Sequence, residues 1–261
     1  MTLDLACAEH GAGAPLVILH GLYGAKRNWA TIAARLAPRR RVITVDLRNH
    51  GESPWDARHD YPALAADVAR LIETRVGGPA DVLGHSMGGK AAMILALSRP
   101  ELVSRLVVVD IAPAQSPGTA AVAPRVLRAV PLAGLVSRTK VEEALAATIP
   151  DPAVRAFLAA NARSGTKPGC GGLAWTVNLE ALDRHFADIL SFPEIAAGVA
   201  FSKPALFIAG GSSDYLHPEH WPAIERLFPG AVLETIAGAG HWVHAEAPAA
   251  FLTAVERFLD A

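Results

Sequence analysis

Six stretches of the chain are short and nearly continuously apolar: Leu16 to Leu19, Arg41 to Val45, Asp81 to Leu83, Leu106 to Val109, Ala205 to Ala209 and Val232 to Ile236. A strand with one wet face alternates apolar and polar residues, whereas a strand covered on both faces does not need to. The six runs therefore predict an α/β fold, a mainly parallel sheet flanked by helices on either side. Helical periodicity and capping signals predict helices over about 25–36, 61–75, 87–98, 218–228 and 248–260. In the last of these Pro248 opens the helix and Phe251, Val255, Phe258 and Leu259 share one face, which predicts closure over the sheet edge.

Between Ile111 and Lys203 the alternation stops. Helical patches broken by Pro113, Pro117, Pro124, Pro131, Pro150, Pro152, Pro168 and Pro193 carry apolar faces of their own: Val126, Leu127 and Val130; Val141 and Leu145; Phe157 and Leu158. This pattern predicts one core built from residues 1–112 and 203–261, interrupted by a helical cap over 113–202. The cap is expected over the strand ends, where open parallel sheets place their ligands. Gly165 to Gly172, with four glycines, is the segment expected to move.

Composition narrows the function classes. The 261 residues are 51% hydrophobic, enough for one substantial core, and 19% charged with a net charge of −1. No broad field is available to attract nucleic acid or an anionic membrane. A substrate that is not strongly anionic follows. Cys7 and Cys170 lie too far apart for ligand spacing, so free thiols are expected and no metal. Met1 to Leu19 lacks a basic start followed by a long apolar region, and no apolar run is long enough to span a bilayer. The expectation is a cytoplasmic protein without a membrane partner, of open oligomeric state.

The chemistry gathers around Asp81-Val82-Leu83-Gly84-His85-Ser86-Met87-Gly88-Gly89-Lys90, an apolar strand that ends in G-H-S-M-G and runs straight into a helical segment, Ala91 to Leu97. G-x-S-x-G with those flanks puts a serine on a sharp strand-to-helix turn, with Gly84 and Gly88 small enough for close backbone approach. Ser86 is the candidate nucleophile.

Further motifs stand in order around it: His20-Gly21-Leu22-Tyr23-Gly24 with Asn28-Trp29, Asp46-Leu47-Arg48-Asn49-His50-Gly51-Glu52-Ser53, Asp110-Ile111-Ala112-Pro113, and Gly238-Ala239-Gly240-His241-Trp242. With the serine turn they resemble the α/β-hydrolases over the whole length, and within them the bacterial YbfF-type esterases and their mitochondrial relatives. The cap matches only through Trp175 and Asn178-Leu179. The resemblance implies a serine ester hydrolase that needs no cofactor.

Serine is a poor nucleophile at neutral pH and needs a base, normally an imidazole held by a carboxylate. His241 resembles the family's base, and serine first with histidine last is the α/β-hydrolase order. Two aspartates compete for the carboxylate. Asp214 follows the run Ala205 to Ala209, the usual α/β-hydrolase position, whereas Asp110 occupies the position of the narrower family and is favoured. The backbone N–H groups of Leu22 and Met87 are the candidate oxyanion donors, with His20-Gly21 resembling the element that turns the first towards the site. The Asn49 to Ser53 loop is read as structural support. Tyr23, Met87, Trp175, Trp221 and Trp242 are candidates to line an apolar acyl pocket.

These residues imply hydrolysis of neutral short to medium acyl esters, small-molecule substrates, through a covalent acyl-Ser86 intermediate. A thioesterase, amidase or perhydrolase would use the same serine. A receptor on the same fold would bind ligand without turnover. An aspartate-nucleophile dehalogenase or epoxide hydrolase is disfavoured by Ser86.

Overall fold

The computed structural model describes residues 1–117, 122–164 and 172–261, which leaves Cys170 and the glycine-rich stretch 165–171 outside the described residues. The strands in chain order are β1 (Cys7–His10), β2 (Ala14–Leu19), β3 (Arg40–Val45), β4 (Ala80–His85), β5 (Val103–Val109), the short β6 (Ala162–Ser164) and β7 (Leu173–Trp175), β8 (Ala205–Gly210) and β9 (Ala231–Ile236). Seven of them form one sheet in the order β1-β3-β2-β4-β5-β8-β9, while β6 and β7 pair separately. Every pairing in the large sheet is parallel except β1 with β3.

All six apolar runs are strands of this sheet. The additional edge strand, β1, had no apolar run to announce it: Cys-Ala-Glu-His is half-exposed and pairs antiparallel through Cys7 with Val45 and His10 with Val42.

The helices are α1 (Ala30–Leu36), α2 (Tyr61–Leu71), α3 (Met87–Ser98), α4 (Pro124–Arg128), α5 (Arg138–Leu145), α6 (Pro152–Ala159), α7 (Leu179–Arg184), α8 (Phe186–Leu190), α9 (Trp221–Leu227), α10 (Val243–Glu246) and α11 (Pro248–Leu259). Because side chains alternate across a strand, Leu16, Ile18, Val107, Val109, Leu206 and Ile208 bury against Trp29, Ile32, Leu36, Phe251 and Val255 of α1 and α11 and the turn before α1. Val17, Leu19, Leu106, Val108 and Phe207 face the other way, towards α2, α3 and α9. Helix α11 thus covers a face of the sheet beside α1, rather than its edge as its apolar stripe suggested. A stripe records that one side is buried and leaves the partner open.

Helices α4 to α8 and the β6–β7 pair all lie between β5 and β8. Their buried residues Leu127, Val141, Leu145 and Leu158 belong to the same apolar cluster as α3. Polar contacts tie this segment to the core: the Asn178 amide donates to Asn49 O at 2.9 Å and Asn161 Nδ2 to Tyr23 O at 2.8 Å. Arg27 in turn donates to Asn161 Oδ1 at 3.1 Å. Among the described residues no helix is long and apolar enough to cross a membrane.

Strand β2 lies between β3 and β4, so the chain leaves it towards one side and returns on the other. That reversal opens a crevice beyond the carboxyl ends of β2 and β4, which finish within a residue of one another, Leu19 standing opposite Gly84. The loop after β3 that borders the crevice is anchored by a buried fork: Arg48 Nε and one terminal nitrogen donate to the two Asp67 oxygens at 2.6 and 2.8 Å, and both side chains are about 1% exposed. Removing Asp67 leaves the buried Arg48 guanidinium only the more distant Asp56, 3.6 Å away, and breaking a buried pair costs about 3–5 kcal/mol. Asp67→Ala is therefore expected to lower the thermal midpoint by ~10 °C, a chain of this size losing about 2–4 °C per kcal/mol. A melting curve displaced by less than ~2 °C would show that the fork contributes little.

Candidate active site

No loop separates β4 from α3, so Ser86 makes the turn alone, with φ 53° and ψ −120°. A non-glycine residue held there costs of order 1–3 kcal/mol and persists only where its surroundings enforce it. The enforcement is visible on both sides: the Ser86 amide donates to Val109 O at 3.0 Å, and Ser86 O accepts from the Lys90 amide at 3.0 Å. Close approach does the rest. A Cβ on Gly84 would stand 2.2 Å from Gly88 O, and one on Gly88 would stand 2.5 Å from His20 O.

His241 follows β9, and its Nε2 accepts from the Ser86 hydroxyl at 3.0 Å while its Nδ1–H donates to Asp110 Oδ2 at 2.7 Å. Asp110 ends β5 with φ 51°, and its carboxylate is completely buried. Its Oδ1 accepts from the Gly210 amide at 2.8 Å, and its Oδ2 also accepts from the Ser213 hydroxyl. The Tyr215 ring stacks on the imidazole, centroids 3.7 Å apart and planes 16° from parallel. Burial, and then the Asp110 charge, push the Tyr215 phenol up to about 12.

Asp214, the other aspartate considered, is exposed, and the imidazole is bonded to Asp110 instead. Its loop nevertheless serves the site. Ser213, its neighbour, is the residue that bonds the Asp110 carboxylate. Nothing in Gly211-Ser212-Ser213-Asp214 distinguished the serine from an ordinary turn residue.

Two buried imidazoles shape the loop after β2. His20 Nε2 accepts from the Leu47 amide at 3.0 Å, so its proton sits on Nδ1 and is donated to Gly21 O at 2.8 Å. His50 repeats the arrangement: Nε2 accepts from the Tyr23 amide at 3.2 Å and Nδ1–H donates to Arg48 O at 3.0 Å. Burial keeps both neutral, pushing His50 down to about 3. With Tyr23 N held by His50 and Gly24 N bonded to Gly21 O at 2.9 Å, the Leu22 amide just before them has no acceptor among the described residues. The Met87 amide stands at the first turn of α3, where helical N–H groups have no partner within the helix. The Asn49 to Ser53 loop was expected to be structural support, and its His50 orients this stretch; no spacing distinguished His50 from other buried histidines, whereas His20 stood in the His20-Gly21 motif.

Ser86, Leu22, Met87, Tyr23, Trp242 and His241 all line one cavity of about 290 Å³. Trp175 and Trp221 do not, which corrects their assignment to the pocket. Trp175 lies in β7, where it pairs with Ala162, and Trp221 opens α9 with its indole N–H donated to Glu225 at 2.7 Å. An aromatic side chain carries no sign of which surface it will meet. Two lining residues had no motif of their own in the sequence: Phe157 from α6, whose ring centroid is 5.5 Å from that of Trp242, and Tyr61 from α2.

Comparison with known proteins bears on the whole chain. The family profile described as the alpha/beta hydrolase fold matches residues 14–248. The chain is 42% identical over 256 residues to the protein named sn-1-specific diacylglycerol lipase ABHD11 of Xenopus laevis, covering 95% of this chain and 80% of that one. It is 34% identical over 252 residues to Esterase YbfF of Escherichia coli strain K12, covering 94% and 93% respectively. Among solved structures, a marine microorganism esterase superposes with a TM-score of 0.93 at 33% identity, covering 98% of this chain and all of that one. On its sheet order, its profile match and these relatives, the chain belongs to the α/β-hydrolase family and resembles the YbfF-type esterases within it.

Proposed function

We propose that the protein is a serine carboxylic ester hydrolase that cleaves neutral short to medium acyl esters through an acyl-Ser86 intermediate. The observation that carries this reading is the unbroken chain of hydrogen bonds from Asp110 through His241 to Ser86, 2.7 and 3.0 Å long. The names of the relatives, an esterase and a lipase, support an ester as the bond attacked. The cavity volume, near the lower end of the ~300–1,000 Å³ usual for ligand pockets, supports a compact acyl group.

Each step follows from the placement of donors and acceptors. As Ser86 Oγ attacks the ester carbonyl, His241 Nε2 takes its proton, and the resulting imidazolium is stabilised by Asp110. Charge on the carbonyl oxygen is met by the Leu22 and Met87 amides, which need no rearrangement to receive it. His241 then passes the proton to the departing alkoxide, leaving acyl-Ser86. Water enters, His241 takes its proton, and the second collapse returns the proton to Ser86 and frees the acid. Residues 113–202 act as a cap that walls the site, and the Phe157 contact with Trp242 is where cap and core meet beside the nucleophile.

The acid assignment has a direct test. Without its carboxylate the imidazole loses its fixed tautomer, and turnover falls by about four powers of ten in enzymes of this design. Asp110→Asn is expected to lose most of its kcat on p-nitrophenyl butyrate, while Asp214→Asn stays within about tenfold of the parent. Thermal melts on both variants separate lost chemistry from lost fold. A crippled Asp214→Asn beside a nearly normal Asp110→Asn would overturn the assignment. For the cap, Ile189→Ala, in the wall of the same cavity, should raise KM for p-nitrophenyl hexanoate by about tenfold, reflecting roughly 1–2 kcal/mol of lost apolar contact, while KM for the acetate changes far less. Equal changes for both esters would count against a cap that reads the acyl chain.

A further inference from the structure

One buried charged group has no part in the mechanism above. Lys90 is on α3, one turn beyond Ser86, and is about 1% exposed, yet it contributes to the wall of the same cavity. Its ammonium donates to Ser116 Oγ at 2.8 Å, Leu190 O at 2.9 Å and Ser191 O at 2.8 Å, and stands 5.9 Å from the centre of the Tyr61 ring. Tyr61 cannot supply an anion, because its hydroxyl is donated to Ile189 O at 2.6 Å and burial holds the phenol protonated. Among the described residues no carboxylate comes within ion-pair distance of Lys90, although Lys26, Arg40 and Arg48 all have one.

The three ammonium protons are therefore spent on neutral oxygens, and the charge stays uncompensated. A buried cation of this kind is costly unless an anion reaches it. Burial alone draws the Lys90 ammonium down to about 7. Ser116 supplies the way for an anion to be held. Its oxygen accepts from Lys90, so its own proton remains to be donated, with no acceptor among the described residues, and it too lines the cavity. The same cavity is also lined by the apolar side chains of Ile111, Ile189 and Leu190.

The site also has a direction. The leaving group must lie beside His241, which protonates it, and His241 shares that wall with Trp242 and Phe157. The acyl chain is left the wall formed by α3 and the segment around Ser116 and Leu190. We infer that the Lys90–Ser116 pair is a specificity subsite for the far end of the acyl chain, and that the preferred acyl group ends in a carboxylate, as in the monoester of a dicarboxylic acid. The terminal carboxylate accepts from the Ser116 hydroxyl and neutralises Lys90, while its methylenes lie against Ile111, Ile189 and Leu190. This inference rests on the ester-hydrolase reading and goes beyond it by ranking acid-ended acyl groups above neutral ones of the same length. Lys90 touches no reacting atom.

The test compares kcat/KM for the p-nitrophenyl monoesters of adipic and pimelic acids with that for the hexanoate and heptanoate esters. The ratio of acid-ended to methyl-ended substrate is expected to exceed about ten in the parent and to fall to about one or below in Lys90→Met, the penalty of an unpaired buried charge passing from enzyme to substrate. Ser116→Ala, which keeps the ammonium and removes the hydroxyl, should lower the ratio by about threefold. The ratio is unmoved by a loss of fold, which lowers both rates together. A parent ratio below one overturns the inference even if Lys90→Met fails to fold, and so does a ratio that is the same in parent and variant. Protection against heat by free adipate, present in the parent and absent in Lys90→Met, reads the subsite without turnover. Adipate protection with no hydrolysis of p-nitrophenyl acetate would keep the subsite and reject the ester-hydrolase reading; acetate hydrolysis with no adipate protection and no preference would do the reverse.

Discussion

The arrangement depends on one buried carboxylate. Asp110 is closed off from bulk solvent, so its charge is met by the protons aimed at it: the Gly210 amide, the Ser213 hydroxyl and His241 Nδ1–H. Those donors come from the ends of β8 and β9, and the carboxylate itself from the end of β5. Parallel strands finish within two residues of one another, Val109 at the end of β5 opposite Ile208 and Gly210 at the end of β8 opposite Ile236, so three loops that are remote in sequence meet at nearly one height. Parallel pairing is thus what makes the site possible. A carboxylate so satisfied holds the imidazole in one tautomer with Nε2 turned to Ser86.

A second set of constraints keeps the serine itself in place. Its positive φ is tolerated because Gly84, Gly88 and the carbonyl of His20 interlock without room for a Cβ. The same crevice receives the loop after β2, shaped by His20 and His50, whose imidazoles act as rigid spacers between backbone groups. Burial that keeps them neutral is part of that function, since a protonated Nε2 could not accept from an amide. His85 and His244 are also drawn down by burial, His244 to about 4. Of these buried imidazoles beside His241, none is presented to the serine hydroxyl.

Much of this was legible in the residues and some was not, for reasons that differ in kind. Strands β2, β3, β4, β5 and β8 were readable because burial on both faces writes itself as runs of Val, Ile and Leu, the edge strand β9 keeping Val232 and Leu233 although both are exposed, and the serine turn because sterics allow few residues at Gly84 and Gly88. The half-exposed β1 had no such signature. Two aspartates at strand ends were equivalent as sequence; the difference is that Asp110 is enclosed and Asp214 is exposed, a property of the loops around them. Trp175 and Trp221 were misplaced because an aromatic ring packs on any apolar surface. Lys90 ends the serine motif, yet its want of a counter-ion emerges only when α3, Ser116 and the end of α8 are brought together.

In the proposed mechanism Asp110 and His241 make Ser86 a nucleophile. A fluorophosphonate consumes only an activated serine and needs neither the cap contacts nor the chain-end subsite. Incubation of the parent protein should give one adduct per chain, located by peptide mass on the segment containing Ser86. Ser86→Ala should take none, and His241→Ala should react slower by about a thousandfold or more. A parent protein that stays unmodified, or one labelled equally well without His241, would contradict the account.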